Sequence, residues 1–348
     1  MSLNKRIIAF AELGNQLRLS LKNESKEVAV NKFKNVIQQA SVMNEWFTTE
    51  NLNYAISAIA ESLTAQNLNA WTAKYPEITK YNTSKNIALI MAGNIPLVGF
   101  HDLLSVLICG HKAVVKLSSK DDILIKGLIE LLISIEPQFN NFVHFTNDRL
   151  KDFDAVIATG SSNSSRYFEY YFGKYPNIIR KNRNSVAVIT GNETKEELEK
   201  LADDIFQYFG LGCRNVSKVF IPDDFNVDRF FKAMYHYKDV INHNKYANNY
   251  TYNRSIYLMN KVDFLENGFL ALKEDLGMIS PISVIYYERY SKIETVKEQL
   301  KIEKENIQCV VSNETELPNR VGFGEAQKPQ LWDYADNVDT LEFLLSLK

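Results

Sequence analysis

From residue 86 onward, short apolar runs alternate with longer amphipathic stretches. That alternation constrains the fold more than any other feature. Residues 86–92 (NIALIMA) suit a strand buried on both faces. The turn Gly93-Asn94-Ile95-Pro96 follows, then a helix to about Cys109 that Gly110 stops. Residues 112–117 (KAVVKL) read as a second strand, and Ser118-Ser119-Lys120-Asp121 opens a helix to about Ile135. Residues 141–145, 155–158 and 185–189 read as further strands, with helices near 165–172 and 194–209. Strands joined by helices imply right-handed crossovers and an open, mostly parallel sheet. Ligands bind such sheets at the carboxyl ends of the strands, where helix N-termini face anions. The turns at Asn94, Ser118 and Gly160 lie at such ends, although the GxGxxG fingerprint is missing.

A second alternating block follows residue 213. It predicts strands at 218–221, 255–258, 283–287 and 307–311, with helices at 227–237, 264–275 and 293–301. The first 85 residues read as helical. Leu52, Ala55, Ile56, Ile59 and Leu63 mark one helix face, and Thr48 or Thr49 can cap that helix. The expected organisation is a helical region at 1–85 packing on a Rossmann-like nucleotide-binding domain at 86–209. A catalytic α/β domain at 210–320 and a C-terminal segment at 321–348 complete it.

Between the two blocks lies Gly210-Leu211-Gly212-Cys213-Arg214-Asn215. A thiol near positive charge favours its nucleophilic thiolate, which makes Cys213 a candidate nucleophile. On the local sequence alone the plainer reading is a small buried hydrophobe, as most cysteines outside disulfides are. Cys109 and Cys309 sit in apolar segments and read as structural. The five histidines show no metal-ligand spacing with each other or with cysteine, so no metal site is expected. A formal net charge of −2 offers no basic excess for nucleic acid. Three cysteines suit a reducing compartment, hence a cytoplasmic location. Neither a secretory segment nor a membrane-spanning apolar run is legible. The aromatic residues after 230, among them Phe230, Tyr235 and Tyr246, permit an apolar tunnel, although plain core and surface tyrosine is the preferred reading.

The order and spacing of five stretches resemble the aldehyde dehydrogenase superfamily, and within it the LuxC-type acyl-CoA reductases. The stretches are Trp46-Phe47-Thr48-Thr49-Glu50-Asn51, Gly93-Asn94-Ile95-Pro96, Val115-Lys116-Leu117-Ser118-Ser119, Ala158-Thr159-Gly160-Ser161 and Gly210-Leu211-Gly212-Cys213-Arg214-Asn215. The resemblance implies an aldehyde-dehydrogenase-like fold with Cys213 as nucleophile and Asn94 as an amide donor to the oxyanion. It implies that Lys116, Ser118, Ser119, Thr159, Gly160 and Ser161 line the cofactor site. Where aldehyde-oxidising members carry a ribose-binding glutamate, this chain has Ser119, with Lys120 beside it. That charge balance points to NADPH, with NADH as the alternative. The water-activating glutamate of the oxidising members falls on or near Ile179, and no carboxylate lies between Pro176 and Gly191. Its absence suits a thiol acyl donor such as coenzyme A. Arg180, Lys181 and Arg183 form a basic cluster there that could meet CoA phosphates or simply be solvated.

The expected activity is NADPH-dependent reduction of an acyl-CoA, a fatty acyl group included, to an aldehyde through a Cys213 acyl-enzyme. The alternatives are an aldehyde-oxidising or acyl-phosphate-reducing member, or a non-catalytic acyl- or partner-binding subunit. The acyl donor is acyl-CoA or an acyl-enzyme, and the resemblance implies an acyltransferase or acyl-protein synthetase as partner. Homo-oligomerisation is left open.

Overall fold

The computed structural model describes residues 1–22, 26–79 and 83–347. Parts of the expected helical region, 23–25 and 80–82, therefore lie outside the described residues. In chain order the elements are α1 (Leu3–Ser20), α2 (Val28–Met43), α3 (Thr49–Ser62), α4 (Ala65–Thr72), β1 (Asn86–Ile90), α5 (Phe100–Cys109), β2 (Lys112–Lys116) and α6 (Leu124–Ile135). Then come β3 (Val143–Phe145), β4 (Ala155–Thr159), α7 (Ser162–Phe172), β5 (Asn177–Arg180), β6 (Asn184–Val188), α8 (Lys195–Phe206), β7 (Val216–Pro222), α9 (Val227–Met234) and α10 (Asn244–Met259). The chain ends with β8 (Leu265–Glu266), β9 (Ala271–Glu274), β10 (Val284–Tyr290), α11 (Ile293–Ile302), β11 (Ile307–Val311), β12 (Arg320–Val321) and α12 (Thr340–Leu345).

Two compact units divide the chain: Met1–Lys181 with Gln330–Lys348, and Asn182–Pro329. In the first unit the strands run in the order β3-β2-β1-β4-β5, all parallel. The central strand β1 is buried along Ile87, Ala88 and Leu89, as expected of a parallel strand covered on both faces. The N-terminal helices present Phe10, Leu13, Leu17, Leu52 and Ile56 to one core with Leu103 and Leu104 of α5. Thr48 caps α3 by accepting the Asn51 N–H at 3.3 Å. The last elements of the chain return to this unit. Trp71 Nε1 donates to Tyr334 Oη at 2.7 Å, and His111 Nε2 lies 3.2 Å from the Leu344 carbonyl oxygen.

The second unit holds a sheet in the order β12-β11-β6-β7-β10-β9-β8. Its pairs are parallel except β8 with β9. Strand β6 pairs with β7 and β11, so the run 185–189 belongs to this sheet. It is not the last strand of the nucleotide-binding sheet. The division expected at 209 falls instead at 181, and the expected C-terminal segment is shared between the units at Pro329. Which sheet a buried strand joins is a long-range choice that its own sequence does not carry.

Two local expectations also change. Residues 255–258 lie inside α10, not in a strand. Residues 264–275 form β8, a turn and β9, not a helix. Polar residues and tyrosines run around α10 without a helical apolar period, whereas the contiguous apolar run Phe269-Leu270-Ala271-Leu272 has no period that separates a buried strand from a buried helix.

Candidate active site

The first unit supplies a crevice at the carboxyl edge of its sheet. Ile90 of β1 is level with Lys116 of β2 and with Ala158 of β4. The turns leaving these strands, at 91–99, 117–123 and 160–161, therefore emerge at one edge. Strand order reverses between β1 and β4, and a doubly wound sheet opens a ligand crevice at such a point. Asn94, Ser118, Ser119, Thr159, Gly160 and Ser161 all belong to these turns or to the strand end before them, as the sequence predicts. Ser161 caps α7, accepting the Ser164 N–H at 3.3 Å. The start of that helix thus lies where an anionic group would be stabilised. A side chain at position 160 would place Cβ 2.8 Å from Phe168 and 2.9 Å from Ser164, so only glycine lets this turn lie against α7. Lys116 also sits at this edge, and its ammonium donates to the carbonyls of Asn147 and Asp148 at 3.3 and 3.1 Å. It therefore braces the loop after β3. Ser119 and Lys120 are exposed. The residues present fit a dinucleotide: a glycine-permitted turn, a capped helix start and a flanking cation at one sheet edge.

The turn that carries Asn94 is held by a residue the sequence reading passed over. Asp121, which is buried, accepts the Leu97 N–H on Oδ2 at 3.0 Å, and Leu97 is left-handed (φ 58). Gly93 packs on the same segment, since a Cβ there would lie 2.9 Å from Ser118. The β1–α5 turn and the β2–α6 turn are thereby fixed to one another. Burial pushes the Asp121 carboxyl up to about 6, against the opposing pull of the Leu97 and Leu124 N–H groups.

The second unit carries Cys213 in the turn between α8 and β7, ahead of the amino end of β7. The sulfur-bearing residue is half-buried. Its carbonyl accepts the Ser185 hydroxyl at 3.2 Å. Ser185 in turn accepts the Cys309 N–H at 3.3 Å, and its Oγ lies 3.1 Å from Cys309 Sγ. Burial pushes the Cys309 thiol up to about 11 and the Cys109 thiol up to about 12. Both are thus held protonated near neutral pH, which agrees with their structural reading. Arg214, beside Cys213 in sequence, donates from Nη1 to the Ala326 carbonyl at 3.4 Å. The segment around Ala326 is tied further by Asp204, whose carboxylate accepts the N–H groups of Gly324 and Ala326 at 2.7 and 2.9 Å. Asn94 lies in the first unit and Cys213 in the second.

The basic residues expected to cluster at 180–183 are each engaged by a carboxylate. Arg180 is buried, not solvated, and pairs with Asp102. Lys181 pairs with Glu169, and Arg183 with Glu305. The place of the missing glutamate falls on β5, an edge strand of the first sheet. A cleft of about 450 Å³ in the second unit lies past the carboxyl end of β7, lined by Asp223, Tyr290 and Glu314 among others. It therefore lies at the opposite end of that strand from Cys213. Among the described residues, no group of three or more His, Cys, Asp or Glu could hold a metal ion. Among them, too, no helix is long and apolar enough to cross a membrane.

The family model described as Acyl-CoA reductase (LuxC) matches residues 9–237. No curated protein matches the chain. Among solved structures, aldehyde dehydrogenase 21 from Physcomitrella patens, in complex with succinate, is similar over 99% of this chain and 84% of its own. Its identity is 10% and its TM-score 0.71. A Mycobacterium tuberculosis aldehyde dehydrogenase complexed with NAD+ is similar over 91% of this chain and 74% of its own, with 12% identity and a TM-score of 0.65. An aldehyde dehydrogenase from Bacillus cereus, also in complex with NAD+, is similar over 90% of this chain and 72% of its own, with 13% identity and a TM-score of 0.60. At such identities the likeness is one of fold, and the fold is that of the aldehyde dehydrogenases.

Proposed function

The chain belongs to the LuxC acyl-CoA reductase family, an oxidoreductase family acting on acyl and aldehyde groups, and from that premise we propose that it reduces an acyl-CoA thioester to an aldehyde with NADPH. The observation that carries this reading is the family match itself, because residues 9–237 include both Asn94 and Cys213. The lack of any carboxylate between Pro176 and Gly191 supports thioester reduction over aldehyde oxidation.

In this reading the Cys213 thiolate attacks the thioester carbonyl carbon, the bond to sulfur of CoA breaks, and CoA leaves as a thiolate. Asn94 donates its amide to the developing oxyanion, an interaction of a kind worth roughly 3 kcal/mol. The nicotinamide cofactor, when bound, supplies the hydride that reduces the acyl carbon. Thr159, Gly160 and Ser161 offer backbone donors and a helix start to the pyrophosphate, while Lys116, Ser118 and Ser119 face the adenosine side. Without a carboxylate at Ser119, a 2′-phosphate meets no repulsion and finds Lys120 nearby, which favours NADPH over NADH. The acyl group comes from free acyl-CoA or from a partner acyltransferase or acyl-protein synthetase. Three cysteines, an odd number in a chain of 348 residues, support a reducing, cytoplasmic setting.

The test is NADPH oxidation measured across a chain-length series of acyl-CoA substrates, with acyl phosphate and free aldehyde in parallel and Cys213→Ala as control. Acyl-CoA-dependent turnover that Cys213→Ala abolishes supports the reading. Full activity in Cys213→Ala, or turnover with aldehyde and NAD+ alone, refutes it.

A further inference from the structure

We propose that Asn215 is the residue that positions Cys213 for attack, an inference that rests on Cys213 being the nucleophile. The chain reaches Cys213 through a backbone that L-residues resist. Tyr208 (φ 54, ψ 27) and Phe209 (φ 58, ψ 25) are left-handed, and Gly210 (φ 77) continues the run. A left-handed backbone brings Cβ against the following carbonyl in any residue but glycine, so the turn must be held by something outside it.

Asn215 does the holding. Helix α8 ends with carbonyls that have no partner within the helix. The Asn215 amide nitrogen, with its two hydrogens, lies within hydrogen-bonding distance of three carbonyl oxygens at that end: Asp204 at 3.1 Å, Ile205 at 3.3 Å and Gln207 at 2.8 Å. Its amide oxygen accepts the Gly212 N–H at 2.8 Å, and its own N–H closes the turn on the Gly212 carbonyl at 3.1 Å. One side chain, 1% exposed, thus joins the end of α8 to the residue before Cys213. The site requires a donor at one end and an acceptor at the other. An aspartate would set a carboxylate against three carbonyl oxygens, and a leucine would supply neither group. On the far side of the turn, Ser185 holds the Cys213 carbonyl and donates its N–H to the Asn215 carbonyl at 3.1 Å. The peptide bearing the thiol is therefore gripped from both directions.

The experiment compares three readouts in folded Asn215→Ala: the rate of acylation by acyl-CoA before steady state, the Kd for NADPH, and alkylation of Cys213 by iodoacetamide. Acylation requires the thiolate at a set angle to a bound thioester, whereas iodoacetamide is small and reaches a thiol from many directions. The expected result is acylation slowed at least thirtyfold, with the Kd for NADPH within twofold and alkylation within threefold of wild type. Acylation within threefold of wild type, or all three readouts failing together, overturns the inference. If Asn215→Ala does not fold, Asn215→Ser keeps a donor and an acceptor on a shorter arm and carries the same comparison. Cys213→Ala, run in parallel, separates the two ideas. Wild-type reduction in Cys213→Ala removes the nucleophile itself; an inactive Cys213→Ala beside normal acylation in the Asn215 variant removes only the positioning role.

Discussion

The Arg180 guanidinium meets the Asp102 carboxylate with two bonds, Nη2 to Oδ1 at 2.7 Å and Nε to Oδ2 at 3.3 Å. The same head donates to the Ala335 carbonyl at 2.6 Å and to Thr340 Oγ1 at 3.0 Å. With side chains only 4% and 13% exposed, the pair is a buried one. Removing one partner of such a pair leaves a buried charge uncompensated and costs about 3–5 kcal/mol. Arg180→Met should therefore lower the stability of the first unit by that order in urea unfolding. Its KM for acyl-CoA should stay within twofold of wild type, because the guanidinium is committed to Asp102 and the C-terminal segment.

Asp121 gives a pH dependence with a defined sign. Its carboxyl titrates at about 6 in the folded protein against an ordinary 3.8. Between those values the folded state holds a proton that the unfolded chain has released. The contribution is full below about pH 3.8 and is lost as pH rises through about 6. Asp121→Asn keeps an oxygen for the Leu97 N–H but cannot ionise. The stability of Asp121→Asn relative to wild type should therefore rise on going from pH 4 to pH 7, by on the order of a few kcal/mol. Parallel urea titrations across that range measure it, and a constant difference would contradict the assignment.

These two residues also mark what the sequence could reveal. The types of the reactive residues are local signals: a cysteine between glycines and an asparagine before a proline stand out at Cys213 and Asn94. The ties that hold them are not. Asp121 reaches Leu97 across 24 residues and Ser185 reaches Cys213 across 28, contacts that exist only once strands pair. The alternation of strands and helices was legible because apolar runs must be buried. The partition of strands between sheets was not, as β6 demonstrates, since a strand buried on both faces reads the same in either.

Thiol chemistry should discriminate sharply among the three cysteines. Cys109 and Cys309 are buried, with thiols pushed up to about 12 and about 11. In native protein at pH 8, iodoacetamide should label Cys213 and spare the other two, whereas all three react in denaturant. Peptide mass mapping reads the outcome. Rapid native labelling of Cys309 would contradict its enclosure beside Ser185.

Cofactor preference should turn on a single position. Ser119 is exposed at the edge of the proposed adenosine site, followed by exposed Lys120. Ser119→Glu introduces a carboxylate that would repel a 2′-phosphate and accept ribose hydroxyls. The ratio of kcat/KM for NADPH to that for NADH should fall at least tenfold. An unchanged ratio would place the 2′-phosphate elsewhere.

Asn94→Ala should lower kcat by about 10²–10³ while leaving the Kd for NADPH near wild type, the loss expected when one oxyanion donor is removed. Stopped-flow acylation and equilibrium titration measure the two terms separately.

The route of the chain through the two units has its own consequence. Asn182–Pro329 is spliced into the first unit, whose second piece, Gln330–Lys348, emerges from the ribosome only after that whole insertion. The parallel sheet bearing the Asn94 turn can therefore be sealed only once the insertion has been made, when Tyr334 reaches Trp71 and Leu344 reaches His111. A nascent chain halted at Pro329 would already carry every strand of the inserted unit and still lack the clasp for the unit that began first. Birth order and completion order are reversed in this protein, and the stretch that follows Pro329 is the latch.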